Sequence, residues 1–455
     1  MRMSGDVPVI TGIGALKLLE RFARDPVGTG RVYHARFGKT IIMQSPLSSR
    51  PEGRKFYITA CQSTVEKIFN SPALYRTVGV ALTRGPKDSS QRRLRNGIVR
   101  MNGLQQQALR RAYAPPLSKV CLRDQQHNLT KVCAAHLEIW PRERTFDASD
   151  LSTKVAIDAA AYVLFGSNED PRAIEIADLI VQHSRMQYSL KTYLFPVNLP
   201  GTPYHALLKH AALTEKALVD WLLGQDEARQ NLVSCIAHMR DTSGDPIDRF
   251  GRAAQLWTLY GASFDTTATT LRWTLLHLAW NNPVQDRLLQ DLKTHGIDSP
   301  YLDAVILESL RMTPPVAYQM RRLNAAMDFE GQSLNRGDHV VVNAAAINRD
   351  ADVYAHPNQF RPERWLDTQP SPMQPLAFSA GPRRCLGFNF AMMVLRTCLS
   401  ELLATTRVEV RGAPKIDVRL AITQGPNRVP IILTPHNEAS QGAKFTGKAS
   451  QQMSE

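Results

Sequence analysis

The chain has 455 residues, 43 % of them apolar and 21 % charged, an ordinary globular balance. That balance excludes global disorder and the compositions of collagen, coiled coils and disulfide scaffolds. Lysine and arginine outnumber aspartate and glutamate by 55 to 41, a formal charge of +14. The surplus is spread along the sequence, denser at Arg92, Arg93, Arg95, Arg100, Arg110 and Arg111. No aromatic-interleaved basic motif accompanies it, so nucleic acid is not an expected partner; a basic solvated surface, or a docking face for an acidic protein, is. The six cysteines, at 61, 121, 133, 235, 385 and 398, form no CxxC pair and read as free thiols in a reducing compartment.

In chain order, residues 1–24 read as a lead-in without the three-part pattern of a signal peptide. Strand patterns follow at Thr40–Gln44 and Lys55–Thr59. Helical spacing then dominates, at 129–140, 172–190, 205–224, 286–294 and 389–405. Strands return at His339–Asn343 and Val408–Val410. A terminal hairpin is expected to run Ile416–Ile422, turn through Gln424–Asn427 and return as Val429–Leu433. Residues 436–455, rich in Ser, Gln, Gly and Lys, read as a disordered tail. No run of about 18 apolar residues predicts a membrane span. With no repeat and no linker, the expectation is one large, mainly α domain with small β-sheets over residues 25–435, cytoplasmic and monomeric.

Two segments carry chemistry. A helix from Pro246 to Trp280, stopped by Asn281-Asn282-Pro283, would span roughly 50 Å and cross the whole domain. Its centre, Ala262-Ser263-Phe264-Asp265-Thr266-Thr267, places hydroxyls and a carboxylate where a plain helix interior would not. That pattern points either to a solvated face or to a local opening that handles protons or a small ligand. The second segment surrounds Cys385. Gly381 and Gly387 let backbone N–H groups approach the sulfur, a helix begins at about Asn389, and Arg383 and Arg384 add positive charge. These features are expected to lower the thiol pKa and favour a thiolate poised as a metal ligand.

Phe378-x-x-Gly381-x-Arg383-x-Cys385-x-Gly387 resembles the haem-binding loop of the cytochrome P450 family. Glu308-Ser309-Leu310-Arg311 resembles the family's Glu-x-x-Arg helix, and Phe360-Arg361-Pro362-Glu363-Arg364 the segment that adds a second arginine to that pair. The centre of the long helix resembles the oxygen-activating segment. The resemblance implies the cytochrome P450 fold and a haem b (iron protoporphyrin IX) with Cys385 as its thiolate axial ligand. Phe378 and Gly387 belong to the same loop. Arg383, Arg321 and Arg110 would contact haem propionates. Gln106 stands where the family has Trp or His and implies a weaker or water-mediated contact. Glu308, Arg311 and Arg364 would form a structural triad. Asp265 and Thr266 would be the catalytic pair, Thr266 hydrogen-bonding dioxygen or its water and Asp265 connecting that site to bulk protons. Ser263 replaces the usual glycine there.

The function implied is a monooxygenase inserting one atom of O2, by hydroxylation or epoxidation, into a lipophilic organic substrate of secondary or lipid-like metabolism. A peroxide-using or hydroperoxide-rearranging enzyme and a non-catalytic haem protein are the alternatives; the acid–threonine pair argues against the former. Electrons would come from NAD(P)H through a separate ferredoxin or flavodoxin with its reductase, an acidic partner for Arg110, Arg111 and Arg384. The pocket is expected to draw on Leu259, Ala262, Ser263 and Val316, with Met186, Tyr188, Leu194, Phe195, Phe264 and Ile422, and 199–204 on a lid. A substrate tethered to a carrier protein is also compatible with this surface.

Overall fold

The longest helix, Arg249–Trp280, is the spine of the structure. In this computed structural model, residues 7–45, 53–77, 85–167, 169–189, 191–192, 195–225, 231–329, 331–366, 371, 373–420, 423–436 and 445–453 are described. The spine starts three residues later than the pattern suggested. Asp248 caps it, its carboxylate accepting from the Phe250 and Gly251 amides at 2.9 and 3.0 Å, whereas Pro246 pairs with Arg240 in an isolated bridge. An acceptor at the N-cap satisfies orphan amide donors that a proline in the first turn would leave open. The helix ends at Asn281, and Asn282 and Pro283 open the next helix, Asn282–His295.

Helices Ser149–Phe165, Pro171–Gln187, Pro203–Leu223, Pro300–Met312 and Phe388–Thr405 pack around the spine. Burying it on nearly all sides explains its composition: Tyr260, Trp273, Leu275, Leu276 and Leu278 are fully buried. The ring of Phe165 stacks on Tyr260 with centroids 5.2 Å apart. Ser149–Phe165 was not expected as a helix. It is buried around most of its circumference, so it lacks the one-sided periodicity by which helices announce themselves.

Six strands form the largest sheet, in the spatial order Val9–Ile10, Thr40–Ser45, Arg54–Thr59, His339–Asn343, Tyr318–Leu323, Tyr75–Thr77. The lead-in is therefore part of the fold: Val9–Ile10 pairs with the second strand, and the helix Gly12–Arg24 packs against it. The expected terminal hairpin is corrected. Gln424–Pro426 is a strand rather than a turn, pairing with Val418–Leu420, and Pro430–Pro435 joins a different sheet, between Thr406–Glu409 and Phe146–Asp147. The tail expected to be disordered is ordered at its described end. Phe445, Ala449 and Met453 are buried, and Phe445 meets the Trp280 ring edge-on at 4.5 Å. Three apolar anchors at helical spacing offset the polar composition of this segment.

Glu308 and Arg311 are both wholly buried on Pro300–Met312. The carboxylate accepts Arg311 Nε and Nη2 at 2.8 Å, the Arg361 amide at 2.8 Å, Arg364 Nε at 3.2 Å and the Trp365 indole at 2.9 Å. Arg311 spends its remaining donors on the carbonyls of Asn348, Pro357 and Gln359. The network ties one helix to the 348–365 loops. Glu308→Ala would leave Arg311 as an uncompensated buried cation, at a cost of about 3–5 kcal/mol. Chemical denaturation should show that loss, and a midpoint within error of wild type would refute it.

Candidate functional site

A cavity of about 360 Å³ lies between the spine and the loop before Phe388–Thr405. One wall is the spine: Thr258, Leu259, Ala262, Ser263, Thr266, Thr267 and Thr270 line it at i, i+4 and i, i+1 spacings. Facing them are Phe378, Arg383, Arg384, Cys385, Leu386 and Gly387. The strand Tyr318–Leu323 contributes Gln319 and Arg321, and the edge helix Gly103–Tyr113 contributes Gln106 and Arg110, one turn apart on one face. Val316, Ile98, Leu117 and Phe390 supply further apolar surface.

The cysteine loop is built by backbone constraints. The Cys385 amide donates to the Phe378 carbonyl at 2.7 Å. Gly381 has φ +62, and a Cβ there would stand 2.8 Å from the Phe69 carbonyl oxygen, so a larger residue would be doubly penalised. Gly387 is the N-cap of Phe388–Thr405. The open surface of Cys385 faces into this cavity; its surroundings are otherwise dense protein. The expected lowering of its thiol pKa is corrected. Burial raises it, outweighing the pull of the Gly387 amide and of the Arg110 and Arg384 charges. In so apolar a pocket, a coordinated cation is the partner that would favour the thiolate.

Three guanidinium groups around the cavity have no carboxylate hydrogen-bonded to them among the described residues. Arg110 donates to the Arg384 carbonyl at 2.7 Å, Arg321 to that of Met320 at 3.1 Å, and Arg383 to the Met101 carbonyl and to Asn102 Oδ1. Burial lowers all three, Arg321 and Arg383 to about 10, and Arg383 is lowered further by its two cationic neighbours. A soft sulfur donor on one side and unneutralised cations at the edge fit a flat metal macrocycle bearing anionic arms.

On the spine, the hydroxyls do not open the helix. Thr266 Oγ1 donates to the Ala262 carbonyl at 2.9 Å, Ser263 Oγ to that of Tyr260 at 2.7 Å, and Thr267 Oγ1 to that of Ser263 at 2.7 Å. Helical bonding is continuous from 249 to 280. The pair expected to be catalytic is split: Thr266 lines the cavity and Asp265 does not. Asp265 Oδ2 instead accepts from Thr423 Oγ1 at 2.8 Å, and Thr423 accepts in turn from Thr269 Oγ1 at 2.8 Å. Burial raises the Asp265 pKa, partly offset by the Thr423 hydrogen bond and the charges of Arg272 and Arg185.

The chain matches the cytochrome P450 family over residues 58–431. It belongs to that family. It is 28 % identical over 333 residues to a putative cytochrome P450 137 of Mycobacterium tuberculosis, covering 70 % of this chain and 68 % of that one. It is 31 % identical over 267 residues to pentalenene oxygenase of Streptomyces avermitilis, covering 55 % of this chain and 58 % of the other. Among solved structures, a retinoic-acid-bound cyanobacterial cytochrome P450, CYP120A1, superposes with a TM-score of 0.79 at 20 % identity, covering 94 % of this chain and 100 % of that one. CYP108D1 of Novosphingobium aromaticivorans gives 0.73 at 17 %, with 94 % and 100 % covered. Membership makes this cytochrome P450 a haem-thiolate monooxygenase of mainly α fold, as the cysteine loop implied. Among the described residues no helix is long and apolar enough to cross a membrane.

Of the expected pocket residues, Leu259, Ala262, Ser263 and Val316 line the cavity. Phe264 is buried against Tyr260 on the other side of the spine, and Phe195 is 63 % exposed at the surface. Met186 and Tyr188 lie outside the lining, and Leu194 and Ile422 outside the described residues. Sequence reasoning missed Thr258 and Thr270. Steps of four from Thr266 would have found them, since i and i+4 share a helix face. It also missed Thr423, whose link to Asp265 spans 158 positions and leaves no local signal.

Thr423→Val removes a bond that favours the charged form of Asp265, so the carboxyl pKa moves further up. Its protonated C=O stretch, identified by its loss in Asp265→Asn, should persist to higher pH in infrared titration. The bond is lost to the charged form, so the variant's stability deficit should grow as pH rises through the folded pKa. A deficit equal at acidic and neutral pH would refute this.

Proposed function

We propose that this cytochrome P450 oxygenates a free, lipophilic organic molecule bound over the cavity wall formed by Leu259, Ala262, Ser263 and Val316. The observation that supports it is the single cavity holding the Cys385 sulfur, three unneutralised guanidiniums and, opposite, an apolar wall with spaced hydroxyls. In this reading Cys385 is the axial ligand, and Arg110, Arg321 and Arg383, with Gln106 beside them, hold the haem carboxylates. Bound haem supplies oxygen activation, which thiolate donation steers toward O–O cleavage.

The residues of the chain do the rest. The apolar wall excludes water and admits carbon skeletons; the retinoic acid in one structural neighbour and the pentalenene in one relative's name are of that lipophilic kind. Thr266 Oγ1 holds one proton, now given to the Ala262 carbonyl, and rotating it about χ1 turns it to the cavity. Asp265, with its raised pKa, is a proton source one residue away on the neighbouring face, and reaches the cavity once released from Thr423. An acid and a hydroxyl so placed favour proton-dependent use of O2 over hydroperoxide rearrangement.

The test is a ligand screen on ferric protein, following the Soret shift as a substrate displaces water from iron, with the reduced-plus-CO spectrum reporting thiolate ligation. A low-to-high-spin shift with lipophiles of one skeleton supports the reading. Silence from a sound thiolate haem overturns it and directs the search to carrier-tethered substrates. Thr266→Ala should keep the substrate shift yet lose most of the product formed per NAD(P)H. Unchanged coupling would favour the peroxide-using alternative.

Electrons are proposed to arrive from an acidic ferredoxin or flavodoxin. The basic stretch divides in the structure: Arg95 is buried and Arg93 is taken by the buried Glu215 carboxylate, leaving Arg92, Arg111 and Arg384 exposed. With Arg111 and Arg384 at the docking face, ferredoxin-supported turnover should fall as ionic strength rises, through association rate. Turnover indifferent to salt would exclude this face.

A further inference from the structure

The arginines around the cavity are held by a brace that the motifs did not reveal. Thr77 closes the strand Tyr75–Thr77 and is the direct cross-strand partner of Arg321 in antiparallel register. Direct partners project to one face of a sheet, and both residues line the cavity. The Thr77 hydroxyl oxygen is buried and has no hydrogen-bond partner among the described residues. A buried hydroxyl without an acceptor is costly, and its neighbour is a guanidinium that also has no carboxylate. One anionic oxygen between them would satisfy both.

The backbone of Thr77 is tied to the same group of cations. Its amide donates to Asn102 Oδ1 at 2.9 Å, and Arg383 Nη2 donates to that oxygen at 2.6 Å. Asn102 Nδ2 donates in turn to the Arg100 carbonyl at 2.8 Å. Asn102 occupies the N-cap position of the edge helix Gly103–Tyr113, yet makes no side-chain cap bond. An asparagine there ordinarily accepts from the first turn. Here its oxygen is diverted to join a strand end to an arginine, leaving the helix start uncapped by a side chain.

We infer that Thr77 is a carboxylate-binding residue of the haem site, donating its hydroxyl to the propionate arm that Arg321 holds, and that Asn102 is a positioning residue fixing Thr77 and Arg383 relative to each other. The inference rests on the haem reading above and adds two residues to it. No bond is made or broken; the effect is on how tightly the group is kept.

The test is haem loss from the ferric holoenzyme to an excess of a high-affinity apoglobin, followed in the visible spectrum. Thr77→Val keeps the shape and removes the donor. A lost hydrogen bond to a charged acceptor predicts loss on the order of tenfold faster, with Thr77→Ser close to wild type. Asn102→Ala should also lose haem faster, and it keeps the inference testable should Thr77→Val fail to fold. Wild-type loss rates in both Thr77→Val and Asn102→Ala would overturn it. Equal rates with an intact thiolate-type reduced-CO spectrum would refute the brace alone. A wild-type protein that takes up haem without that spectrum would instead refute the reading on which it rests.

Discussion

A guanidinium removed from water must find a negative partner, and this structure meets that demand in two opposite ways. Around Glu308 the demand is met internally: every charge and nearly every donor of Arg311 ends on a protein acceptor. Around the cavity it is not. Among the described residues, Arg110, Arg321 and Arg383 are brought together with only neutral oxygens hydrogen-bonded to them, and burial holds all three below the ordinary guanidinium range. A closed network makes a scaffold, and an open one makes a binding site. Closing the second with an acid of the chain would stabilise the empty protein and weaken its hold on an anionic ligand.

The spine helix connects the two. It has to be a core element along one side and a chemically active wall along the other, and its sequence divides by face. Trp257, Tyr260 and Phe264 face the packed helices, whereas Thr258, Ala262, Thr266 and Thr270 form the cavity stripe. Hydroxyls on that stripe bond back to carbonyls one turn earlier. The helix therefore stays intact while carrying rotatable donors, which a run of apolar residues could not supply and a broken helix could not position.

Legibility in the sequence followed the range of the interactions. The cysteine loop was readable because its signals are local: glycines at 381 and 387, a helix start after Gly387, arginines within two residues of the sulfur. The spine was readable because 32 residues of helix leave a long pattern. Ser149–Phe165 was hidden by uniform burial, and Phe445–Met453 by polar residues around three anchors. The thiol pKa was misjudged because neighbours in sequence show charge and helix ends, but not the desolvation that outweighs them. Thr423 beside Asp265 and Thr77 beside Arg321 are pairings that only the folded chain creates.

The separation of Asp265 from Thr266 follows from helix geometry. Consecutive residues point about 100° apart; the cavity arc extends from Thr266 toward its successor Thr267 and from Ala262 toward Ser263, so Asp265, on the preceding side of Thr266, falls off the opposite flank. Asp265 is held instead by Thr423, the residue just before the strand Gln424–Pro426, whose first residue Gln424 bonds through its backbone to Pro315 and the Trp273 indole. Pro315 lines the cavity. One short segment therefore carries both the residue that holds Asp265 and a bond to the cavity wall; on the reading proposed above, that places the acid's restraint beside whatever occupies the cavity.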